Sequence, residues 1–161
     1  MKNTETDEGK RAFASALRIL SRRDLSAAEL TYRLTLKGFS EELAKNTSSR
    51  LRETGYLDDR RFARQWAESA IRNGRGFGPK LRIELARHRV PEEIVAEVLA
   101  FISAEYDETE ALSFILSRKF SGFNPTLATD REKRRVIQYL QRRGFSTAAI
   151  FCAFRMNQTE D

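Results

Sequence analysis

SAAELTYRLTLKGFS, residues 26–40, contains the start, the buried face and the end of one predicted helix. Ser26 and Glu29 have the spacing of a capping box, in which a short acceptor side chain stands three residues before a glutamate. Gly38 occupies the position where a left-handed residue ends a helix. Two apolar residues lie between these signals at the helical spacing of i and i+4: Leu30 and Leu34. The stretch therefore predicts a complete helix and a sharp turn.

The same pattern occurs three times along the chain. Four positions match 51 residues later and again 55 residues beyond that: Leu30, Leu34, Phe39, Ser40; Leu81, Leu85, Val90, Pro91; and Val136, Leu140, Phe145, Ser146. Each copy ends in a basic residue and a break, in the sequences LKGFS, RHRVP and RRGFS. Arg89 stands in the middle copy where the other two have glycine, so we expect a weaker cap there. An internal repeat of this length predicts tandem helical units.

Helical periodicity covers almost the whole chain, and no segment alternates apolar and polar residues for long enough to predict a strand. The sequence predicts an all-α fold of nine helices: 9–22, 26–37, 40–54, 58–73, 78–88, 91–104, 107–119, 129–143 and 146–156. Three three-helix repeats are expected at residues 9–55, 56–105 and 106–161, after a frayed N-terminus at residues 1–8. Because units of about 50 residues bury a thin core alone, we expect them to form an elongated, curved array.

The charge of the chain indicates a polyanionic partner. Its 161 residues carry a net charge of +6, with 22 Arg and 7 Lys, and the planar guanidinium group suits phosphate. We therefore expect nucleic acid, or a protein that holds nucleic acid, as the partner. No stretch approaches the roughly 20 apolar residues of a membrane span, and the N-terminal residues lack the apolar core of a signal peptide. We expect a cytoplasmic monomer without a membrane partner.

Few residues could carry catalysis or hold a metal. The single cysteine and single histidine exclude an intramolecular disulfide, a multi-cysteine zinc site and most histidine-based chemistry. Cys152 lies among apolar residues of the last predicted helix, which is typical of a core thiol. His88 lies at a helix end between two arginines, where a capping or surface role is expected. We expect no enzyme, no cofactor and no metal.

Asp58 and Asp59 form the most conspicuous acidic pair. Adjacent helical residues point about 100° apart, so the two carboxylates do not converge on one metal ion. Their position before a predicted helix is typical of an N-cap and a first-turn acid.

The richest glycine cluster is GRGFGPK, residues 74–80. It lacks the P-loop pattern and no strand precedes it, so a nucleotide site is not predicted. Two interpretations remain: a flexible connection between helices, or a contact to a phosphate backbone through exposed N–H groups flanked by Arg75 and Lys80.

Two segments carry nearly uniform positive charge. Residues 72–89 hold six cations and one acid, and so do residues 131–143. In the second segment most of the cations fall on one arc of the helix, opposite Val136, Ile137 and Leu140. A solvated face is the simpler explanation, but like-charge repulsion at i and i+4 disfavours such an arrangement without a partner. The candidate binding residues, for DNA or a DNA-holding protein, are Arg72, Arg75, Lys80, Arg82, Arg131, Arg134, Arg135 and Arg142.

Residues 55–63, GYLDDRRFA, resemble the most recognisable segment of the bacterial RecX regulatory proteins. The flanking residues agree with that resemblance: Ser26, Glu29, Leu30, Leu34, Lys37, Gly38 and Phe39 upstream, and Gly76, Gly78, Pro79, Ile83 and Leu85 downstream. The match is specific over residues 12–99 and looser over the last repeat. Arg89 departs from it, because a glycine is frequent at that position in the family.

The resemblance implies tandem three-helix repeats and a modulator, usually an inhibitor, of the RecA recombinase, active in DNA repair, DNA recombination and the SOS response. It implies binding in the groove of the RecA–DNA filament, where the protein restrains ATP hydrolysis and strand exchange. It also implies weak, sequence-independent binding to single- and double-stranded DNA. The motif residues are expected to be structural: Gly55, Tyr56, Leu57, Asp58, Asp59 and Phe62.

Two other functions compete with this one. A helix-turn-helix transcription regulator would need recognition helices whose first residues approach DNA. The predicted helices after Ser40 and at Pro91 begin with two glutamates each, which would repel a phosphate backbone. A metal-dependent nuclease would depend on Asp58 and Asp59, whose spacing does not suit a metal.

Overall fold

The computed structural model describes residues 2–156, and the side chains of residues 7–156. Within residues 2–156 the chain forms nine α-helices and no strand, which confirms the all-α fold. The helices are α1 (Lys2–Leu20), α2 (Ala27–Leu36), α3 (Glu41–Glu53), α4 (Asp59–Arg72), α5 (Pro79–Arg87), α6 (Glu92–Glu105), α7 (Glu108–Lys119), α8 (Asp130–Arg142) and α9 (Thr147–Met156). From α2 to α9 the predicted bounds are correct within one residue.

The start of the first helix differs from the prediction. The sequence predicts fraying over residues 1–8, but α1 begins at Lys2. Residues 2–8 contain neither glycine nor proline, so nothing interrupts helical hydrogen bonding before Gly9. Residue 1, and residues 157–161 of the predicted third repeat, lie outside the described part of the chain.

The chain divides into two compact units. The first comprises the described residues up to Gln65 together with Leu85–Val95. Its core is a cluster of buried apolar residues: Ala16, Leu25, Ala27, Leu30, Leu34, Ala44, Leu51 and Leu57. The second comprises Trp66–Glu84 and the described residues from Ala96 onward. Its fully buried side chains include Leu81, Ile102, Leu112, Leu140 and Ile150.

Capping side chains define the helix starts. Thr129 and Glu132 form a complete capping box on α8, because the Glu132 backbone N–H donates to the Thr129 hydroxyl (3.3 Å) and the Thr129 N–H donates to the Glu132 carboxylate (2.8 Å). The hydrogen bonds from the Thr129 backbone and side chain lower the pKa of Glu132. Ser26 accepts from the Glu29 N–H at 3.1 Å, but the Glu29 carboxylate turns to other partners, so the predicted box at α2 is half formed.

The predicted helix stops are left-handed residues in all three copies. Gly38, Arg89 and Gly144 have φ angles of 93°, 57° and 90°. In each case the N–H of the next residue donates to a carbonyl five residues back, at 3.3 Å from Phe39, 3.1 Å from Val90 and 3.2 Å from Phe145. This is the bond pattern of a Schellman motif. The cap at Arg89, expected to be weak, is formed, and Arg89 is the only non-glycine residue with positive φ among the described residues.

In the second unit, the stop at Gly144 also holds the glycine segment 74–78. The Phe77 N–H donates to the Arg143 carbonyl at 2.8 Å, and the Phe77 and Phe145 rings stack with centroids 5.7 Å apart. A Cβ atom at Gly144 would lie 2.1 Å from the Phe77 carbonyl oxygen and 2.9 Å from the Lys80 nitrogen. Only a residue without a side chain permits this approach.

We predict that Gly144→Ala destabilises the second unit far more than Gly38→Ala destabilises the first. Both substitutions place a side chain at positive φ, which costs about 1–2 kcal/mol. A Cβ atom added at Gly38 would meet open space. At Gly144 the added Cβ would also clash with backbone atoms, which costs about 1–3 kcal/mol more. Urea denaturation, followed by Trp66 fluorescence in the second unit and by circular dichroism for both, measures the two losses. Equal losses would show that the Phe77–Gly144 contact is not tight.

Candidate functional site

The most uniform positive surface lies on α8. We define the α8 basic face as four exposed arginines on one side of this helix: Arg131, Arg134, Arg135 and Arg142. The opposite side is anchored by the buried Val136 and Leu140. None of the four guanidinium groups forms an ion pair or hydrogen bond with another side chain in residues 7–156. The face therefore presents four uncompensated cations on a helix capped at both ends.

A second set of cations, the glycine-flanked cluster, comprises Arg72, Arg75, Lys80 and Arg82. The three arginines are exposed, whereas Lys80 is partly buried and forms an ion pair with Glu84 at 2.7 Å. Arg75 is positioned by its neighbours, because its guanidinium lies 5.7 Å from the Trp66 ring centroid and donates to the Ser69 hydroxyl at 3.1 Å. The ion pair with Glu84 makes Lys80 less available for an outside anion.

The structure connects the end of α8 to the glycine segment. Arg143 donates from its guanidinium to the Arg75 carbonyl at 3.0 Å, and accepts from the Phe77 N–H with its own carbonyl. Gly76 and Phe77 are buried as a result. The N–H groups of Lys80 and Leu81 bond to carbonyls of the same segment, which leaves fewer backbone donors here for a phosphate. The glycine segment is a docked connection that carries the cluster.

The sequence does not predict the role of Arg143. In the sequence it is one of six cations of residues 131–143, whereas in the structure it ties the two basic segments together. A signal existed: at 100° per residue, Arg143 falls about 20° from the buried Val136 and outside the arc of the basic face. A basic residue on the apolar side of a helix packs its stem against neighbouring segments and brings its charged head to the edge of that contact.

The family-motif residues lie at helix starts in the first unit. Asp58 accepts from the Arg61 N–H at 2.9 Å and so caps α4. Asp59 accepts from the Ala27 N–H at 2.8 Å, at the first turn of α2. Both carboxylates thus bind backbone donors, each at a different helix.

The remaining motif residues differ in exposure. Leu57 and Phe62 are buried, Tyr56 is 59% exposed, and Gly55 has a φ of 79°. The buried members belong to the packing of the first unit, and Tyr56 faces outward.

The single histidine lies in a polar network around the start of α2. Ser26, fully buried, donates its hydroxyl hydrogen to the His88 carbonyl. The His88 ring meets the Glu29 carboxylate at 3.2 Å and the edge of Phe62 at a centroid distance of 5.5 Å. Arg23 and Arg33 also bind Glu29, at 2.6 and 3.1 Å. His88, for which a capping or surface role is expected, is partly buried, and its ring contacts Glu29 and Phe62.

Other chemistry is sparse in the described residues. Cys152 is partly buried on α9. Within the part of the chain that the structure describes, no three His, Cys, Asp or Glu side chains group so that they could hold a metal ion. None of the helices described has the length and apolar character needed to cross a membrane.

The chain matches three family models along its length. They are described as the first, second and third three-helix domains of RecX, and they match residues 12–59, 58–99 and 105–154. A protein named regulatory protein RecX from Syntrophotalea carbinolica is 38% identical over 143 residues, covering 89% of this chain and 94% of that protein. A protein of the same name from Thermus thermophilus is 36% identical over 153 residues, covering 94% and 96%.

Solved structures show the same fold. The crystal structure of RecX from Lactobacillus salivarius superposes with a TM-score of 0.76, at 14% identity, over 95% of this chain and 98% of that one. A second crystal structure, of a regulatory protein RecX, gives a TM-score of 0.77 at 18% identity, over 98% of this chain and 76% of that one.

We predict that Asp58→Ala lowers the stability of the first unit by about 0.5–2 kcal/mol, because the α4 start loses its cap. Asp58→Asn keeps a capping oxygen and should restore most of that stability. Once folded at low temperature, both variants should bind partners as the parent does. Thermal unfolding and DNA-binding titrations of all three proteins test this. Weaker binding with an unchanged melting curve would place Asp58 in the interface instead.

Proposed function

The chain belongs to the RecX family of regulatory proteins, and from that premise we propose that it regulates the RecA recombinase, mainly as an inhibitor, without catalysing a reaction. It acts in the groove of the RecA–DNA filament and restrains ATP hydrolysis and strand exchange. It also binds single- and double-stranded DNA weakly and without sequence preference. We place it in the cytoplasm as a monomer.

The α8 basic face is the observation that carries this proposal. Four arginines project from one rigid helix, and their charge is not compensated by any described side chain. A filament groove containing DNA offers phosphates, and guanidinium groups bind phosphate through paired hydrogen bonds. Contacts of this kind position a protein on the nucleic-acid backbone without reading bases. A regulator that has to act on any DNA sequence needs this property.

A helix-turn-helix regulator remains the alternative, and the helix starts oppose it. Glu41 and Glu42 are exposed in the first turn of α3, and Glu92 and Glu93 open α6. A hydrogen bond and the charge of Lys45 lower the pKa of Glu41 and keep it ionised.

In the third repeat the carboxylate at the helix start comes from another helix, α7. At the start of α9 the Glu108 carboxylate accepts from the Ser146 N–H and hydroxyl, at 2.6 and 3.0 Å. In all three repeats a carboxylate therefore occupies the helix end that a recognition helix would turn toward DNA.

The first functional prediction concerns RecA itself. Titrating this protein into RecA assembled on single-stranded DNA should lower the rate of ATP hydrolysis, while the protein alone hydrolyses no ATP. A coupled ATPase assay measures both rates. An unchanged RecA rate at a several-fold excess of this protein would refute the proposed regulation.

The second prediction concerns the α8 basic face. The triple variant Arg134→Gln, Arg135→Gln, Arg142→Gln keeps helix propensity, so folding should change little. Each lost phosphate contact to single-stranded DNA should flatten the log–log salt dependence of affinity by about 0.7, or roughly 2 for all three. Fluorescence anisotropy at several salt concentrations gives the slope, and RecA inhibition should weaken with it.

A matched control removes three exposed cations elsewhere: Lys10→Gln, Arg11→Gln, Arg22→Gln. This control has the same net charge as the triple variant, so it separates a specific contact from a loss of overall charge. We expect it to keep most of the parent slope. If the α8 variant matches the parent in slope and inhibition, the face is only solvated, and the glycine-flanked cluster becomes the better candidate.

A further inference from the structure

A cleft of about 750 Å³ lies in the first unit, between one face of α2 and one face of α3. We call it the α2–α3 cleft. Hydroxyl side chains line its walls and arginines stand at its sides: Thr31, Thr35, Ser48, Ser49, Arg52 and Arg89. None of the candidate binding residues identified from the sequence belongs to it. The cleft is large enough for a group of small-ligand size.

Arg89 reaches this cleft from a strained backbone position. Its φ of 57° is one that glycine adopts freely and that costs an ordinary residue about 1–2 kcal/mol. The equivalent positions in the other two copies are Gly38 and Gly144, so the fold accepts glycine there. Backbone strain of this kind persists only where the surrounding structure holds the residue in place, and it is concentrated at functional sites. The guanidinium carbon of Arg89 lies 4.3 Å from the centroid of the Tyr32 ring, and that side chain is 45% exposed.

The charge available to an outside ligand in this cleft is positive. Two carboxylates lie in its lining, and both have partners: Glu41 binds Lys45 at 2.6 Å, and Asp59 accepts from the Ala27 N–H at 2.8 Å. Arg52 makes no side-chain hydrogen bond or ion pair within residues 7–156. The Arg89 guanidinium contacts only the face of an aromatic ring among those residues. Two guanidinium groups therefore remain for an anion.

We propose that the α2–α3 cleft binds single-stranded nucleic acid, with a phosphodiester held by Arg52 and Arg89 and one unstacked base against Tyr32. Arginine side chains are the usual ligands of a phosphate backbone, and an exposed aromatic ring beside an arginine is a stacking platform for a base. The base must be unpaired, since both faces of a base inside a duplex are covered by its neighbours. This site rests on the DNA-binding part of the proposed function, but on none of its residues.

An acidic peptide would satisfy the arginines equally well. It would leave the exposed face of Tyr32 without a planar partner. The exposed ring therefore favours the nucleic acid, and the experiment includes the peptide as an outcome.

The test compares an oligothymidylate with an abasic strand of the same length, by fluorescence anisotropy. The two probes carry the same phosphates, so their difference measures base contacts alone. Tyr32→Leu should weaken binding of the oligothymidylate about five-fold or more and leave the abasic strand unchanged. Arg52→Gln should weaken both probes by a similar factor and flatten the salt dependence by about 0.7.

Arg89→Gly is the sharpest variant, because its effects on folding and binding are expected to have opposite signs. Removing the side chain relieves the positive φ, so the melting temperature of the first unit should stay or rise. Affinity for both probes should nevertheless fall, with a salt slope reduced by about 0.7. A residue that only closes a helix would not lower affinity when replaced by the residue that closes the other two. Arg11→Gln, an exposed cation of the same unit away from the cleft, is the control.

The outcomes separate this site from the α8 basic face. If the cleft variants bind both probes as the parent does, while the α8 triple variant is weakened, the inference is wrong and the proposed function stands. If the cleft variants bind DNA normally but no longer inhibit RecA, the cleft contacts an acidic protein segment and the inference is again wrong. A parent protein that binds neither probe overturns the inference and the DNA-binding part of the proposed function together.

Discussion

The buried start of α2 is the constraint on which the first unit depends. Backbone N–H groups at a helix start need acceptors, and here water cannot supply them, because Ser26 is fully buried. A buried donor left without a partner costs about 1–3 kcal/mol. The Ser26 hydroxyl and the Asp59 carboxylate provide the acceptors, and the Ser26 hydroxyl in turn satisfies a carbonyl at the end of α5. The start of α2 thereby fixes where α4 begins and where α5 ends. The acidic pair of the family motif therefore has a structural role. The Asp58 carboxylate caps its own helix, and the Asp59 carboxylate accepts from a backbone N–H of a helix 32 residues earlier.

A helix end also positions the basic surfaces of the second unit. Gly144 ends α8 and, lacking a side chain, lets the Phe77 carbonyl come close. The Arg143 guanidinium and the Phe77 N–H then complete the contact. The glycine-flanked cluster is consequently tied to the end of the α8 basic face by one side-chain and one backbone hydrogen bond. Rigid placement of this kind reduces the entropy lost on binding, which benefits long side chains whose individual contacts are weak.

Most of the fold could be predicted because its signals are local. Caps, leucine spacing and left-handed stops all lie within a few residues of the helix end that they define. The predicted bounds of α2–α9 therefore agree with the structure within one residue. The interactions that escaped prediction join residues far apart in sequence. The Glu29 carboxylate binds Arg23, Arg33 and His88 instead of completing its expected capping box. The Arg143 guanidinium donates to a carbonyl 68 residues away in sequence. A local sequence pattern does not predict such a distant partner.

For the candidate site, the helical wheel predicts the exposure of the α8 arginines, whereas the cleft beside Arg89 is formed by packing that the sequence does not predict. The sequence did show Arg89 where glycine was expected, and it is this departure that marks the cleft.

The use of acidic side chains accounts for the unpaired arginines. Carboxylates are placed at helix starts, where they bind backbone N–H groups and favour the positive end of the helix: Asp58, Asp107, Glu108 and Glu132. Asp59 has the same role at α2. A carboxylate held this way is less available to an arginine on a neighbouring face. On α8 the excess of cations is therefore concentrated on one face, while the acids of its first turn lie at the helix start. Attraction from such surfaces is long-ranged and insensitive to base sequence, and salt weakens it. Selectivity for a particular partner must then come from the shape of that partner. A protein made of rigid, individually capped helices holds its charges in the fixed arrangement that recognition by shape requires.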